Sequence, residues 1–167
     1  ILSIALSVFS VSLFAQAKKT SEKPLTKEEV TEFKKQANDF FKMKSYQQAV
    51  PLYKRLVVAE SQNTEINYRL GYSILNSDSD KSQAAEYLEY ASRQKDAPKD
   101  VLYWLGHANL HAGQYDAAIK CFDDFKAAMK GKPDPKLMVD RCTEWAYNAK
   151  ALTASPLEVS FENLGKG

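Results

Sequence analysis

Residues that usually carry chemistry are scarce in this chain of 167 residues, which has two cysteines, two histidines and six glycines. It contains no G-x-S-x-G, Walker, G-x-G-x-x-G or C-x-x-C motif, so nucleophile elbows, phosphate loops and redox pairs are not indicated. The formal net charge is only +2, with acids and bases interspersed, which gives no basic surface for nucleic acid. We therefore predict no enzyme activity, no cofactor and no nucleic-acid partner.

The two histidines are four residues apart in the stretch HANLH, His107 to His111. On a helix this spacing could place both side chains on one face to hold a metal ion, as in H-E-x-x-H. Ala108 stands where that motif has its glutamate, and a zinc ion would need at least one further ligand. We predict no metal site, and a metal-dependent enzyme using His107 and His111 is the alternative hypothesis.

An uncharged apolar segment opens the sequence. Residues 1–17 end in Ala15-Gln16-Ala17, a small-x-small pattern suited to signal peptidase, and the run is too short for a comfortable membrane span. We predict a signal peptide over 1–17, a linker over 18–25, and export to the periplasm, where the protein could associate with the outer membrane. It would touch a membrane only through this signal or through partner proteins. Because the sequence lacks an initiating Met, we also expect a longer gene product.

Export bears on the two cysteines, Cys121 and Cys142. In an oxidising compartment they could form a disulfide. They could equally remain two buried thiols, since cysteine is commonly buried without bonding.

The rest of the chain repeats with a period close to 34 residues. Small residues recur at Ala37, Gly71 and Gly106, separated by 34 and 35 positions. A second small column and a large apolar column four residues after it recur at similar intervals. Their members are Ala49, Ala84 and Ala118, followed by Tyr53, Leu88 and Phe122. Residues four apart share one face of a helix, so the period is internal and helical.

This pattern resembles the tetratricopeptide repeat, whose unit is a helix pair with small residues where the two backbones approach closely. The stretch YWLGHANLHAGQYDAAIKCF carries the closest match. Its matching residues are Leu105, Gly106, Gly113, Tyr115, Ala118 and Phe122. The resemblance implies an all-α superhelix of three helix pairs, at residues about 30–63, 64–98 and 99–132, and no chemistry common to the family.

Helix-boundary signals mark both ends of the repeat domain, which we predict over 26–152. Thr26 and Glu29 form a capping-box pattern that opens the first helix. Asp134-Pro135 is typical of a helix start and predicts a capping helix over 135–152 that covers the third repeat. The predicted packed face of this helix carries Met138, Cys142, Trp145, Ala149 and Leu152.

Two residues inside the repeats carry predictions of their own. Gly106 falls at a close helix contact, so a large side chain there should overpack the third repeat. Pro51 falls beyond the first turn of its helix, where it should cost about 3 kcal/mol or kink the axis.

In the resembled family, the first helix of each pair lines a concave surface. The matching positions of this chain combine aromatic rings with lysine and arginine, which suits an extended peptide or a helix of a partner protein. The predicted groove residues are Lys34, Asn38, Phe41, Tyr68, Arg69, Tyr72, Tyr103, Trp104 and His107, and Lys35 and Asp100 occupy further positions of this surface. Trp104 could instead turn toward the preceding repeat and belong to the core.

Some members of the family hold a C-terminal carboxylate with Lys, Asn and Arg side chains at these positions. Lys34 and Asn38 match that set, whereas Arg69, Asp100 and Trp104 do not. Since Asp100 would repel a carboxylate, we predict that this chain is not an adaptor for chaperone tails.

The last residues leave the helical pattern. Residues 157–161 alternate apolar and polar side chains, so 153–167 is predicted as a short extended linker into a further domain. The stretch VSFENLGKG resembles the junction between the N-terminal tetratricopeptide module and the PD40 propeller of OmpA-family envelope proteins of the type nine secretion and gliding-motility class. The resemblance implies a noncatalytic interaction scaffold, the N-terminal adaptor module of a periplasmic anchor protein that binds peptidoglycan only through a later domain.

Overall fold

A computed structural model describes residues 23–155. The predicted signal peptide, most of the first linker and the predicted strand at 157–161 lie outside the described residues. Within 23–155, seven α-helices follow one another with no strand between them. They are α1 Lys27–Lys42, α2 Tyr46–Ala59, α3 Thr64–Leu75, α4 Ala84–Ser92, α5 Val101–His111, α6 Tyr115–Ala128 and α7 Val139–Ala154. No helix in this range is both long and apolar enough to cross a membrane.

Each helix packs against the next along the chain, and α7 packs on α6 and also touches α5. The pairs α1/α2, α3/α4 and α5/α6 therefore stack in sequence order, and α7 covers the open end of the last pair. The predicted all-α architecture of three helix pairs and a capping helix is confirmed. The first helix begins with the predicted capping box. Thr26 Oγ1 accepts from the Glu29 backbone N at 3.2 Å, and Glu29 Oε2 accepts from the Thr26 backbone N at 2.7 Å.

The period of the sequence reflects close contacts between the helices of a pair. A Cβ atom on Gly71 would lie 2.5 Å from Leu88 Cγ, and one on Gly106 would lie 2.5 Å from Phe122 Cε1. Real Cβ atoms do not come that close to other carbons, so only glycine leaves room for the large residue of the facing helix. The column of Ala49 and its repeats is fully buried as well. Small and large residues thus interlock at the same place in each repeat.

Pro51 lies inside α2, and the helix Tyr46–Ala59 is uninterrupted at this residue. Its side chain is on the exposed side of the helix, so the ring displaces no core residue. Within residues 23–155, no side-chain hydrogen bond replaces the backbone hydrogen bond that proline cannot donate.

The start and the packed face of the last helix differ from the prediction. Pro135–Leu137 form a 3-10 turn, Met138 has a left-handed backbone with φ 47°, and α7 begins only at Val139. The buried face consists of Val139, Cys142 and Ala146. Small side chains allow α7 to lie close to α6, and the larger Met138, Trp145 and Leu152 are left exposed. Of the predicted face, only Cys142 is fully buried.

Candidate partner-binding groove

Five partly exposed aromatic side chains form a continuous row along the first helices of the three pairs and the start of α2, and we call them the aromatic row. They are Phe41 of α1, Tyr46 at the start of α2, Tyr68 and Tyr72 of α3, and Trp104 of α5. Tyr72 is the centre of the row. Its ring lies 5.3 Å from Phe41, 5.4 Å from Tyr46 and 4.6 Å from Trp104, measured between centroids. Four of the five rings are residues that the repeat register had assigned to the groove.

The polar edges of these rings are hydrogen-bonded within the groove. The Tyr68 hydroxyl donates to the Asp100 carboxylate at 3.0 Å, and Trp104 Nε1 donates to Asp100 Oδ2 at 2.9 Å. Burial raises the pKa of Tyr72 to about 12, and a hydrogen bond between the Tyr72 and Tyr46 hydroxyls adds to the effect. Burial, followed by the charge of Asp100, raises the pKa of Tyr68 further. Both tyrosines are therefore neutral at physiological pH.

Arg69 and Asn38 connect α3 to α1 below the row. The Arg69 guanidinium lies 2.5 Å from the Glu65 carboxylate and donates to Asn38 Oδ1 at 2.6 Å. It also lies over the Phe41 ring, 5.1 Å from the centroid. The same Asn38 oxygen accepts from the Tyr53 hydroxyl at 2.8 Å. These two predicted groove residues therefore hold the helices and the Phe41 ring in place.

Lys34, the remaining predicted cation of the groove, forms an ion pair with Glu60 at 2.7 Å. This hydrogen bond is the main reason that the pKa of Glu60 lies below its usual range. Both side chains are about one-third exposed, at 37% and 33%, so the pair contributes only a modest stabilisation. Lys34 joins α1 to the end of α2 and is not part of the aromatic row.

Tyr103 was predicted to face the groove, and the structure places it in the core instead. It is only 7% exposed, and its hydroxyl donates to the Leu137 backbone oxygen at 3.0 Å. Its ring packs against Phe125 with centroids 5.7 Å apart. The segment before α7 covers this residue, so Tyr103 offers no surface to a partner. The neighbouring residue on α5, Trp104, is partly exposed and belongs to the aromatic row.

His107 also turns from the groove toward the capping helix. Its ring makes an edge contact with Phe122, and its Nε2 lies 3.6 Å from Cys142 Sγ. Burial lowers the pKa of His107 to about 4 and raises that of the Cys142 thiol. A neutral imidazole beside a neutral thiol is a packing contact and not an activated nucleophile.

The histidine pair has no third ligand in the described part of the chain. Between residues 23 and 155, no three His, Cys, Asp or Glu side chains come together as a metal site would require. His111 is exposed, while His107 packs beside Cys142. Cys121 and Cys142 are both free thiols in the structure. The geometry therefore provides no ligand set for the metal-dependent alternative.

Two contributors to the groove were not among the predicted site residues. Tyr46 belongs to α2, yet the tight turn after α1 brings its ring to within 5.6 Å of Phe41. In the sequence, the only signal for Tyr46 is that it lies three residues before Ala49, as Tyr115 lies three residues before Ala118. Glu65 precedes Arg69 by four residues, and this spacing on a helix is a known signal for an ion pair.

The fold and the groove together define a class of protein, the helical-repeat proteins, in which stacked helix pairs present one continuous surface. Part of this chain is similar to one such family, the tetratricopeptide repeat. A family model with that description matches residues 77–132, which include α4, α5 and α6. A search of curated proteins found no match.

Among solved structures, the chain is similar to the tetratricopeptide repeat domain of Sgt2 from Aspergillus fumigatus. The two chains are 19% identical with a TM-score of 0.56, and the alignment covers 84% of this chain and 92% of that chain. At this identity the likeness establishes the fold, which is that of a tetratricopeptide repeat domain.

Proposed function

We propose that this protein is a noncatalytic interaction module that binds an extended segment or a helix of a partner protein along the aromatic row. The observation that carries the proposal is the row itself: five rings held in contact across four helices and partly exposed to solvent. Rings that are already fixed by the fold lose little entropy on binding, and aromatic anchors of this kind dominate the energy of many interfaces. Helical-repeat surfaces are also a common place for such recognition.

The test compares two double variants of the full chain in a pull-down from solubilised cell envelope. Tyr72→Ala with Trp104→Ala removes the centre of the aromatic row. Trp145→Ala with Tyr147→Ala removes the same two residue types from the exposed surface of α7, where they are 46% and 56% exposed. We expect the first variant to lose the captured partner, because truncating a hot-spot anchor often costs about 2 kcal/mol or more. The second variant should retain it.

Both variants must first match wild type in helical circular dichroism and keep a cooperative melting transition. Capture of the same proteins by wild type and by a folded Tyr72→Ala, Trp104→Ala variant would exclude the groove as the binding site. Binding would then use another surface.

We further propose that the module acts in the cell envelope as the N-terminal adaptor of a larger anchor protein. Its support is the uncharged apolar segment 1–17 with Ala15-Gln16-Ala17 at its end, together with the likeness of VSFENLGKG to an envelope-protein junction. Expression of the full chain in a Gram-negative host, followed by fractionation and mass spectrometry, tests the export step. A periplasmic product beginning at Lys18 is expected, and an uncleaved cytoplasmic chain would contradict it.

A further inference from the structure

The Asp100 carboxylate lies in the aromatic row, and its charge is not matched by any cation there. It accepts hydrogen bonds from the Tyr68 hydroxyl at 3.0 Å and from Trp104 Nε1 at 2.9 Å. Both donors are neutral. Across residues 23–155, Asp100 takes part in no ion pair, and the side chain is only partly exposed.

The two cations predicted for the groove, Arg69 and Lys34, are already engaged elsewhere. Arg69 is paired with Glu65 at 2.5 Å and stacks over Phe41, while Lys34 is paired with Glu60. Asp100 also precedes α5, whose N-terminus has a partial positive charge of about half a unit. That dipole offsets part of the carboxylate charge. The remainder is not balanced by an ion pair within the described residues.

Aromatic rings surround this charge on the groove side. Tyr72 lies 4.6 Å from Trp104 and 6.1 Å from Tyr68, centroid to centroid. Ring faces attract cations, tryptophan most strongly, and the attraction increases when the site is shielded from water. Asp100 is bound to the polar edges of Tyr68 and Trp104, so a cation paired with this carboxylate would lie close to the rings, a setting that favours a positively charged group.

We propose that the groove recognises a lysine or arginine side chain of the partner, held by the Asp100 carboxylate among the rings of Tyr68, Tyr72 and Trp104. This inference rests on the proposed function and specifies the partner's chemistry at that site. An acidic or uncharged segment over the row would bury the Asp100 charge without a counterion, which is costly. A basic side chain removes that cost and gains the ring contacts as well.

The variant that isolates the charge is Asp100→Asn. An asparagine oxygen can still accept from Tyr68 and Trp104, and asparagine is a good residue before a helix, so the substitution retains the structural role and removes only the charge. Asp123→Asn is the matched control, because Asp123 is exposed on α6 and lies outside the row.

The experiment selects phage-displayed random peptides of roughly twelve residues on the full chain, and keeps those that fail to bind the Tyr72→Ala, Trp104→Ala variant. We expect Lys and Arg to be enriched at one aligned position. A selected peptide synthesised with arginine should bind wild type about tenfold more tightly than the same peptide with citrulline, its neutral isostere, a difference of about 1.4 kcal/mol. Asp100→Asn should remove this preference, and Asp123→Asn should leave it unchanged.

Two results would overturn the inference while leaving the proposed function intact. One is a set of groove-dependent peptides without a recurrent basic residue. The other is a preference for arginine over citrulline that survives in Asp100→Asn. If no groove-dependent peptide is recovered at all, the proposed function itself fails and this inference fails with it.

Discussion

A single hydrogen atom at Gly106 sets the distance between α5 and α6. Any Cβ there would meet the Phe122 ring at 2.5 Å, and Phe122 is fully buried, so the ring has nowhere to move. Tyr103 and His107 pack against the same ring. The contact therefore couples one glycine to the whole junction of the third repeat.

For this reason we expect Gly106→Leu to lower the free energy of unfolding by about 1–3 kcal/mol or more, the usual range for overpacking a closed core. Urea denaturation followed by circular dichroism measures it. Ala128→Leu, on the exposed side of α6, is the control and should change stability by less than about 0.5 kcal/mol. Equal midpoints for Gly106→Leu and wild type would show that the close contact is absent.

Pro51 gives the opposite prediction. Because it lies within α2 and is exposed, alanine at this position can restore a backbone hydrogen bond without disturbing the core. We expect Pro51→Ala to raise the free energy of unfolding by about 1–3 kcal/mol. Proline costs about 3 kcal/mol inside a helix. Part of the gain is lost because alanine increases the conformational entropy of the unfolded chain. Thermal melting measures the gain, and Gln48→Ala on the same helix should be nearly neutral. A lower melting temperature for Pro51→Ala would mean that α2 depends on the proline.

At the scale of elements, the contact of α7 with α5 depends on an uncharged histidine. Burial lowers the pKa of folded His107 to about 4, whereas histidine in an unfolded chain titrates near 6.5. Between these pH values the unfolded chain binds a proton that the folded chain excludes, so stability falls as the pH falls. Above pH 6.5 both states are neutral and this residue contributes no pH dependence.

We therefore expect the free energy of unfolding to drop by about 3 kcal/mol between pH 7 and pH 4 from this residue alone, measured as urea midpoints across that range. His107→Gln should flatten the profile. His111→Gln is the comparison variant. Burial lowers the pKa of His111 as well, but its side chain is more exposed than that of His107, so this change should flatten the profile less. Identical slopes for wild type and His107→Gln would show that the imidazole is solvated in the folded protein.

The elements themselves could largely be predicted from the sequence, because the small and large columns record contacts within each helix pair. The same register placed Phe41, Tyr68, Tyr72 and Trp104 in the groove, and the structure brings their rings into one row. Tyr103 was misassigned since its position depends on a hydrogen bond to the Leu137 backbone. That oxygen is available because the chain turns at Met138 with a positive φ, a feature that no periodicity signals.

The buried face of α7 also could not be predicted from the sequence pattern. The heptad spacing predicted a packed side of Met138, Cys142, Trp145, Ala149 and Leu152. The structure buries Cys142 of this set, together with Val139 and Ala146, and leaves the three largest members exposed. Hydrophobicity alone favours the larger set. Close packing against α6 favours the smaller one, and only the shape of the neighbouring helix decides between them.

At the scale of the whole molecule, stability should be transmitted from one repeat to the next, because each helix packs on its sequence neighbours. The last pair then depends on α7 to cover its apolar surface. Val139, Cys142 and Ala146 close a cluster that includes Tyr103, Phe122 and Phe125. The ion pairs of α7, Lys126 with Asp140 and Lys150 with Asp116, lie at the surface and add little. Apolar burial is thus the main contribution of α7.

A chain that ends at Lys132 should therefore fold its first two repeats and lose order in α5 and α6. We expect the unfolding free energy to fall by at least about 3 kcal/mol, because burying one large apolar side chain contributes about 1.5–3 kcal/mol and Tyr103 and Phe125 would both be uncovered. Hydrogen exchange should show protection retained in α1 to α4 and reduced in α5 and α6, which a repeat protein permits because its units are coupled only to their neighbours. A chain ending at Ser155 keeps α7 and is the matched control. If the shorter chain keeps full protection in α5 and α6, the third pair is stable by its own contacts and does not need α7 to cover it.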